Sequence, residues 1–594
     1  MTQTTEDRLA ALRDGLKAHD LQGFIVPISD EHMSEYVGDY AQRLAWLMGF
    51  TGSAGTGAVL EDAAALFVDG RYTVQAEEQV ASSKIDRMQI PAHRIETWLQ
   101  SQAKEGDKIG FDPWLHTITW ARQAKAALKR AGADLVATNG NPIDELWTGQ
   151  PNRPAGPIQD HPLDYAGQSR EDKLSMIADE TKQRGADACV IASLDGVCWA
   201  LNVRGSDISH CPVAYGFLIV PAEGRPVYCV QKDGIDESLD RQLSEDVDLV
   251  DYNAFPDTLK SIADGGTIQL DPATAVAALF DLVKEGGGNV LEAREPTTLA
   301  KACKNKTERS GTRAAHVRDG IAVTRFLKWF DEVAPRGGLT ELAAADTLAL
   351  QRSKANLLKD LSFRTISAAG PHAALPHYSV TDASNIEIPI NSLYLVDSGG
   401  QYLDGTTDIT RTIQVGTIPD ISRIRYTQVL KGHIAVATAR FPKGTPGSAL
   451  DPLARHALWQ VGADYDHGTG HGVGSFLNVH EGPQRIAKAG SDEPLQEGMI
   501  LSNEPGYYRS GEFGIRIENL VLVTVDPQED DERTMLAFET LTLAPIDTRP
   551  IVRDLLTVGE IDWLNQYHAR VRREIGPELP EDCAAWFERA TQPI

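Results

Sequence analysis

His467-Gly468-Thr469-Gly470-His471-Gly472-Val473-Gly474 is the stretch on which the reading of this chain turns. Its two histidines stand at i and i+4, the spacing of a metal pair on a helix. Four glycines in the same eight residues argue against a helix, because each costs ~1 kcal/mol there relative to alanine. A loop or strand in which backbones approach closely fits better. A phosphate-cradling loop is the rival reading, but no lysine follows and the glycines do not match the dinucleotide spacing. His480 comes nine residues after His471, in Asn478-Val479-His480-Glu481-Gly482-Pro483.

Working outward, two more clusters flank this one. Upstream, the apolar run Leu393-Tyr394-Leu395-Val396 leads into Asp397-Ser398-Gly399, so Asp397 sits at a strand end. Eleven residues on is Asp408, in Gly405-Thr406-Thr407-Asp408-Ile409-Thr410-Arg411-Thr412, where Thr and Ile enrichment predicts a second strand. Two adjacent strands could bring both carboxylates to one point, although spacing alone favours a pair of solvated turn aspartates. Downstream come Asn503-Glu504-Pro505-Gly506-Tyr507-Tyr508 and Gly514-Ile515-Arg516-Ile517-Glu518-Asn519. In a strand, residues two apart share a face. Arg516 and Glu518 would then point one way, and Ile515 and Ile517 into the opposite core. A carboxylate in a strand interior needs a metal or an arginine beside it.

Asp397, Asp408, Glu504 and Glu518 carry four negative charges, and His471 adds a nitrogen donor. Two divalent cations would balance them. Hard oxygen ligands with one imidazole point to Mn²⁺, with Co²⁺ or Zn²⁺ as substitutes. Two such ions can generate a hydroxide and polarise a carbonyl.

The rest of the chain frames these clusters. At ~150 residues per domain, 594 residues predict about four domains, with three or five allowed. The breaker-rich stretch from Asn139 to Pro162 reads as a linker, with a boundary near residue 160. Trp46 with Gly52-Ser53, and Trp199 with Gly205-Ser206, recur at an offset of 153, which predicts two tandem related α/β domains. A long helix is predicted from about Thr307 to Ala334, with Val323, Leu327, Phe330 and Ala334 on one face, and Thr340 capping the next helix. The second boundary falls near residue 303. The division is therefore 1–160, 161–303 and 304–594.

Lys+Arg is 57 against Asp+Glu 84, a net charge of −27, which disfavours nucleic acid and anionic membranes. No apolar run approaches the ~20 residues of a membrane helix. Six scattered cysteines fit free thiols in a reducing cytoplasm. His372, in the Gly370-Pro371 turn, reads as a surface histidine, and Trp329 and Trp459 as core aromatics.

The order Asp397, Asp408, His471, Glu504, Glu518, with spacings of 11, 63, 33 and 14, resembles the pita-bread metallopeptidases, which include methionyl aminopeptidase, prolidase and aminopeptidase P. Leu361-Ser362-Phe363, His377-Tyr378, Asp404-Gly405-Thr406-Thr407-Asp408, the Gly-rich stretch, Asn478-Val479-His480-Glu481-Gly482-Pro483 and Glu504-Pro505-Gly506-Tyr507-Tyr508 narrow the resemblance to aminopeptidase P, also called Xaa-Pro aminopeptidase. Gly49-Phe50-Thr51-Gly52-Ser53-Ala54-Gly55 and Asp69-Gly70-Arg71-Tyr72 resemble the first domain of its long, three-domain cytosolic form, and Asn202-Val203-Arg204-Gly205-Ser206-Asp207 its second.

The resemblance implies two creatinase-like α/β domains ahead of a pita-bread catalytic domain. It also implies a cytoplasmic homodimer that removes the first residue of peptides with proline second, using a hydroxide between two metals. Asp397 would bind one ion, Asp408 and Glu518 would bridge both, and His471 and Glu504 would hold the second. His377 and His480 match substrate-side catalytic histidines. His467, Tyr508 and Arg516 match positions around the substrate and ligands, and Arg71 a substrate-contacting arginine. Arg364 and Asn503 depart from the expected pattern, which has proline and an acidic residue there. The alternatives are a prolidase that takes only dipeptides, and a binding module on a pita-bread fold that has lost its metal.

Overall fold

In a computed structural model, residues 3–80, 83–490, 492–526 and 532–594 are described. The apolar run at Gly23 becomes the strand Gly23–Pro27, fully buried. It lies inside a six-stranded sheet whose spatial order is Asp86–Gln89, Ala64–Val68, Thr56–Leu60, Gly23–Pro27, Lys108–Phe111, Asp134–Ala137. The second such run becomes Ala188–Ile191, in a separate sheet ordered Asp248–Asp251, Val227–Val230, Gly216–Pro221, Ala188–Ile191, Thr267–Leu270, Asn289–Glu292. Strand directions repeat as well. In each sheet the first strand in the chain pairs antiparallel with the second and parallel with the fifth, and the outer pairs are parallel. Trp46 and Trp199 both sit on the helix that follows the first strand of their sheet. The duplication is therefore one of topology.

The chain divides into two compact units. One holds the chain up to Asp160 together with Gln168–Ser209 and Val213–Thr298, and so contains both sheets. Within it the turn after Gly23–Pro27 reaches the second sheet. His32 Nδ1 donates to the Ala192 carbonyl at 2.7 Å, and the Tyr215 hydroxyl donates to Asp30 at 3.0 Å.

The other unit holds His161–Gly167, His210–Pro212 and Leu299–Ile594. Its first long helix is Lys306–Val333, closed at its start by a capping box between Asn305 and Glu308. Val323, Leu327, Phe330 and Ala334 are buried against Tyr394, Val396, Ile409 and Ile413. That contact seats the strands carrying the first two acidic candidates. Thr340 caps Glu341–Arg352, as its sequence predicts. A three-stranded sheet pairs Ile366–Ala369, Ser392–Ser398 and Ile409–Val415. A six-stranded sheet runs Arg440–Pro442, Met535–Thr540, Asn519–Val525, Ile500–Asn503, Gly470–Gly472, Glu481–Ile486. The hairpin Gly506–Arg509 with Phe513–Arg516 is a further element. No described helix is long and apolar enough to cross a membrane.

Two expectations change. Trp459 is 43% exposed at the end of its helix, on a face other than the one buried by Ala454, Arg455 and Leu458. His372 is not a surface group. Its ring stacks on Tyr378 at 4.4 Å and its Nδ1 lies 3.0 Å from both oxygens of the buried Glu341. The Gly-Pro turn is pressed onto the strand Phe513–Arg516, where a Cβ on Gly514 would meet the Ala373 oxygen at 1.6 Å.

Candidate metal centre

The Gly-rich stretch folds as the short strand Gly470–Gly472, flanked by loop. Glycine is needed because the backbones crowd. A Cβ on Gly470 would lie 2.0 Å from the Ser502 oxygen, and one on Gly472 2.5 Å from the Glu481 oxygen. This strand lies between Glu481–Ile486 and Ile500–Asn503 in its sheet, so His471, His480 and Glu504 come from neighbouring segments.

Asp397 lies near the end of Ser392–Ser398, directly opposite Thr410. The predicted second strand is interrupted. Gly405–Thr406 belongs to another small sheet, Ile409–Val415 pairs with the Asp397 strand, and Asp408 occupies the gap between them. Glu518 likewise sits between Phe513–Arg516 and Asn519–Val525, not inside one strand. Arg516 and Glu518 nonetheless meet, with Ile515 and Ile517 in the core. Arg516 Nε donates to the Thr410 hydroxyl at 3.1 Å, and that hydroxyl donates to Glu518 Oε2 at 2.7 Å.

His471 Nε2 is 3.6 Å from Asp408 and 3.5 Å from Glu504. Its Nδ1 donates to the Gly472 carbonyl at 2.9 Å, so the lone pair on Nε2 is turned toward the carboxylates. One ligand atom each from Asp408, His471 and Glu518 lie within 4.8 Å of one another. Glu504 accepts from the Ser502 hydroxyl at 3.1 Å. Asp397 accepts from Arg516 Nη2 at 2.5 Å.

Burial first, then Glu518, Asp397 and Glu504, push Asp408 well above the usual carboxylate range. Burial, then Asp397 and Glu504, do the same to Glu518. Burial, with Asp397 adding to it against the pull of Arg516, pushes Glu504 up to about 7. Mutually repelling buried carboxylates need cations. Asp397 Oδ1 and Asp408 Oδ1 are buried without a hydrogen-bond partner. Orphaned carboxylate oxygens beside an oriented imidazole suit hard divalent ions.

The other candidates are placed as follows. The His480 ring lies 4.2 Å from that of His471. His467 Nδ1 donates to the Gly468 carbonyl at 2.7 Å, and its Nε2 is 2.8 Å from the Tyr508 hydroxyl. Tyr508 accepts from Arg516 Nη1 at 2.7 Å, so its own hydrogen goes to His467. A chain of bonds thus runs from His467 through Tyr508 and Arg516 to Asp397. Arg516, 2% exposed, spends its donors on protein groups. His377 is half-buried in the turn after Gly370–Ala374. Arg71 belongs to the first unit, where its guanidinium forks onto Asp69 at 2.8–3.2 Å. Arg364 donates to the Ser379 hydroxyl at 3.2 Å, and Asn503 is buried with its amide on the His433 carbonyl at 2.9 Å. Sequence reasoning missed Thr410, Arg411, His433 and Asn519. Thr410, Arg411 and Asn519 lay inside quoted strings, but nothing local marks a buried histidine in mid-helix.

Residues 310–525 match the Metallopeptidase family M24, and 534–594 the C-terminal region of peptidase M24. The Creatinase/Prolidase N-terminal domain matches twice, over 8–146 and 149–308. A probable Xaa-Pro aminopeptidase P of Laccaria bicolor is 40% identical, covering 100% of this chain and 94% of that protein. The solved X-prolyl aminopeptidase of Caenorhabditis elegans, described as a cytosolic enzyme with a di-nuclear active site, is 36% identical with a TM-score of 0.95, each chain covered in full. The prolidase of Pyrococcus horikoshii OT3, 24% identical with a TM-score of 0.50, covers 63% of this chain and 99% of its own, and shares the fold alone. The chain belongs to the Xaa-Pro aminopeptidase P family of M24 metallopeptidases. Its fold is two creatinase-like α/β domains followed by a pita-bread domain.

Proposed function

We propose that the chain hydrolyses the bond between the first residue of a peptide and a proline in second place. The observation that carries this reading is the full-length likeness to Xaa-Pro aminopeptidases at 36–40% identity, together with the convergence of four carboxylates and one imidazole. Asp397, Asp408, His471, Glu504 and Glu518 would hold two divalent ions, with Mn²⁺ as the proposed metal. Bound there, the ions supply Lewis acidity and a nucleophile at neutral pH.

The protein's own groups do the rest. Proline's nitrogen is a tertiary amide without N–H and must gain a proton to leave. His480, beside the metal-facing imidazole, and His377 manage that proton. Tyr508 and His467 line the approach, while Arg516 holds Asp397 in place through a charge-assisted bond. Arg71 is proposed to contact the substrate, through an Asp69 fork that pre-sets its guanidinium.

The deciding assay compares an Xaa-Pro-Xaa tripeptide with an Xaa-Pro dipeptide, using chelated protein reloaded with Mn²⁺, Co²⁺ or Zn²⁺. Cleavage of the tripeptide at the Xaa-Pro bond, highest with Mn²⁺ and absent without metal, is expected. Activity confined to the dipeptide would make the enzyme a prolidase instead.

A cytoplasmic homodimer and the domain division 1–160, 161–303 and 304–594 complete the proposal. The two separate N-terminal sheets support the division. Light scattering at micromolar concentration should return the dimer mass, and a monomer mass would contradict it.

A further inference from the structure

His433 sits in the helix Asp420–Ala437, fully buried, and has no part in the proposed ligand set. Its Nδ1 is 3.1 Å from the Asn503 main-chain oxygen and its Nε2 3.1 Å from the Asn519 side-chain amide. A carbonyl only accepts, so the hydrogen is on Nδ1 and Nε2 accepts from Asn519. Burial, and then Arg411, hold the ring's pKa down to about 3, which keeps the ring neutral. The amide orientation agrees, because Asn519 Oδ1 accepts from Arg411 Nη2 at 2.9 Å. Arg411 also donates to the Glu518 carbonyl at 2.7 Å. Asn503 returns its amide to the His433 carbonyl at 2.9 Å.

The placement of this relay gives it a role. Asn503 and Asn519 face each other across paired strands. Asn503 immediately precedes Glu504, and Asn519 immediately follows Glu518. The ring therefore links the main chain just before Glu504 to the side chain just after Glu518, and Arg411 carries the link on to the Glu518 carbonyl.

We infer that His433 is a positioning residue which, with Arg411 and Asn519, fixes the separation of the Glu504 and Glu518 carboxylates and so the affinity of the metal centre. The inference rests on the dinuclear reading. Groups that orient ligands in this way typically affect metal affinity by ~10–100-fold.

The test needs no peptide. Metal-free wild type, His433→Gln and Asn519→Ala are titrated with Mn²⁺ against a chromophoric chelator, after circular dichroism has checked their fold. Leu564→Ala, a core truncation in the helix Val558–Ile575, serves as a control for general loosening. Two ions should bind to wild type, and His433→Gln and Asn519→Ala should bind them ~10–100-fold more weakly while Leu564→Ala stays near wild type. If His433→Gln does not fold, Asn519→Ala decides alone. Wild-type affinity in the folded relay variants would overturn the inference, as would an equal loss in Leu564→Ala. A wild-type chain that binds fewer than two ions would sink the dinuclear reading, and this inference with it.

Discussion

Asp408→Ala or Glu518→Ala should lose at least one metal ion and nearly all activity. In the proposed set each of these carboxylates bridges both ions, so each truncation removes two metal–oxygen bonds. No further carboxylate among the described residues is placed to bridge in its stead. Asp397 is engaged by Arg516, Glu504 by Ser502, and His471 has turned its other nitrogen to a carbonyl. Metal loss should occur without unfolding. Asp408 and Glu518 are buried beside other carboxylates, and deleting one relieves repulsion in the metal-free chain. The metal-free variants should therefore melt no lower than metal-free wild type. Full occupancy of both positions, by elemental analysis, would remove these residues from the ligand set.

His377→Ala and His480→Ala should behave in the opposite way, keeping both ions and losing activity by ~10²–10⁴-fold, the usual worth of positioned acid–base groups. His480 makes ring contact with His471 but is outside the proposed ligand set. His377 follows a turn pinned by Glu341, His372 and Tyr378, which fixes where it can reach. Metal content that falls in step with activity would make either residue a ligand. Undiminished turnover with metal retained would make it a bystander.

Much of this site was legible in the chain because its residue types are chemically expensive to bury. Four acids and an imidazole set among strand-forming strings and a glycine-rich stretch must serve something, and alternating glycines must admit another backbone. The period-two reading of Arg516 and Glu518 identified their shared face, although the strand breaks between them. It breaks because Glu518 hands its main-chain N–H to Thr410 before the next strand begins. The interruption at Asp408 was hidden for a similar reason. Thr and Ile enrichment marks extended backbone without saying to which sheet it belongs. His433 could not be found at all from the sequence, since its partners lie 70 and 86 positions away, and Asn519, although inside a quoted string, carried no local sign of a role. His372 was misread because a Gly-Pro turn predicts solvent, and only tertiary packing put Glu341 beneath it.

The guanidinium of Arg516 has one more consequence. Its charge is permanent, and it reaches Asp397 but is not among the groups bonded to Asp408 or His471. The two proposed metal positions are therefore unequal before any ion arrives. On the imidazole side an incoming cation meets carboxylates that burial and mutual repulsion push up, with Arg516 acting on them only at a distance or through Thr410. On the Asp397 side it must share its ligand with a resident positive charge. Loading should therefore follow an order, imidazole side first, and a titration with metal should pass through a half-filled enzyme before the second position fills.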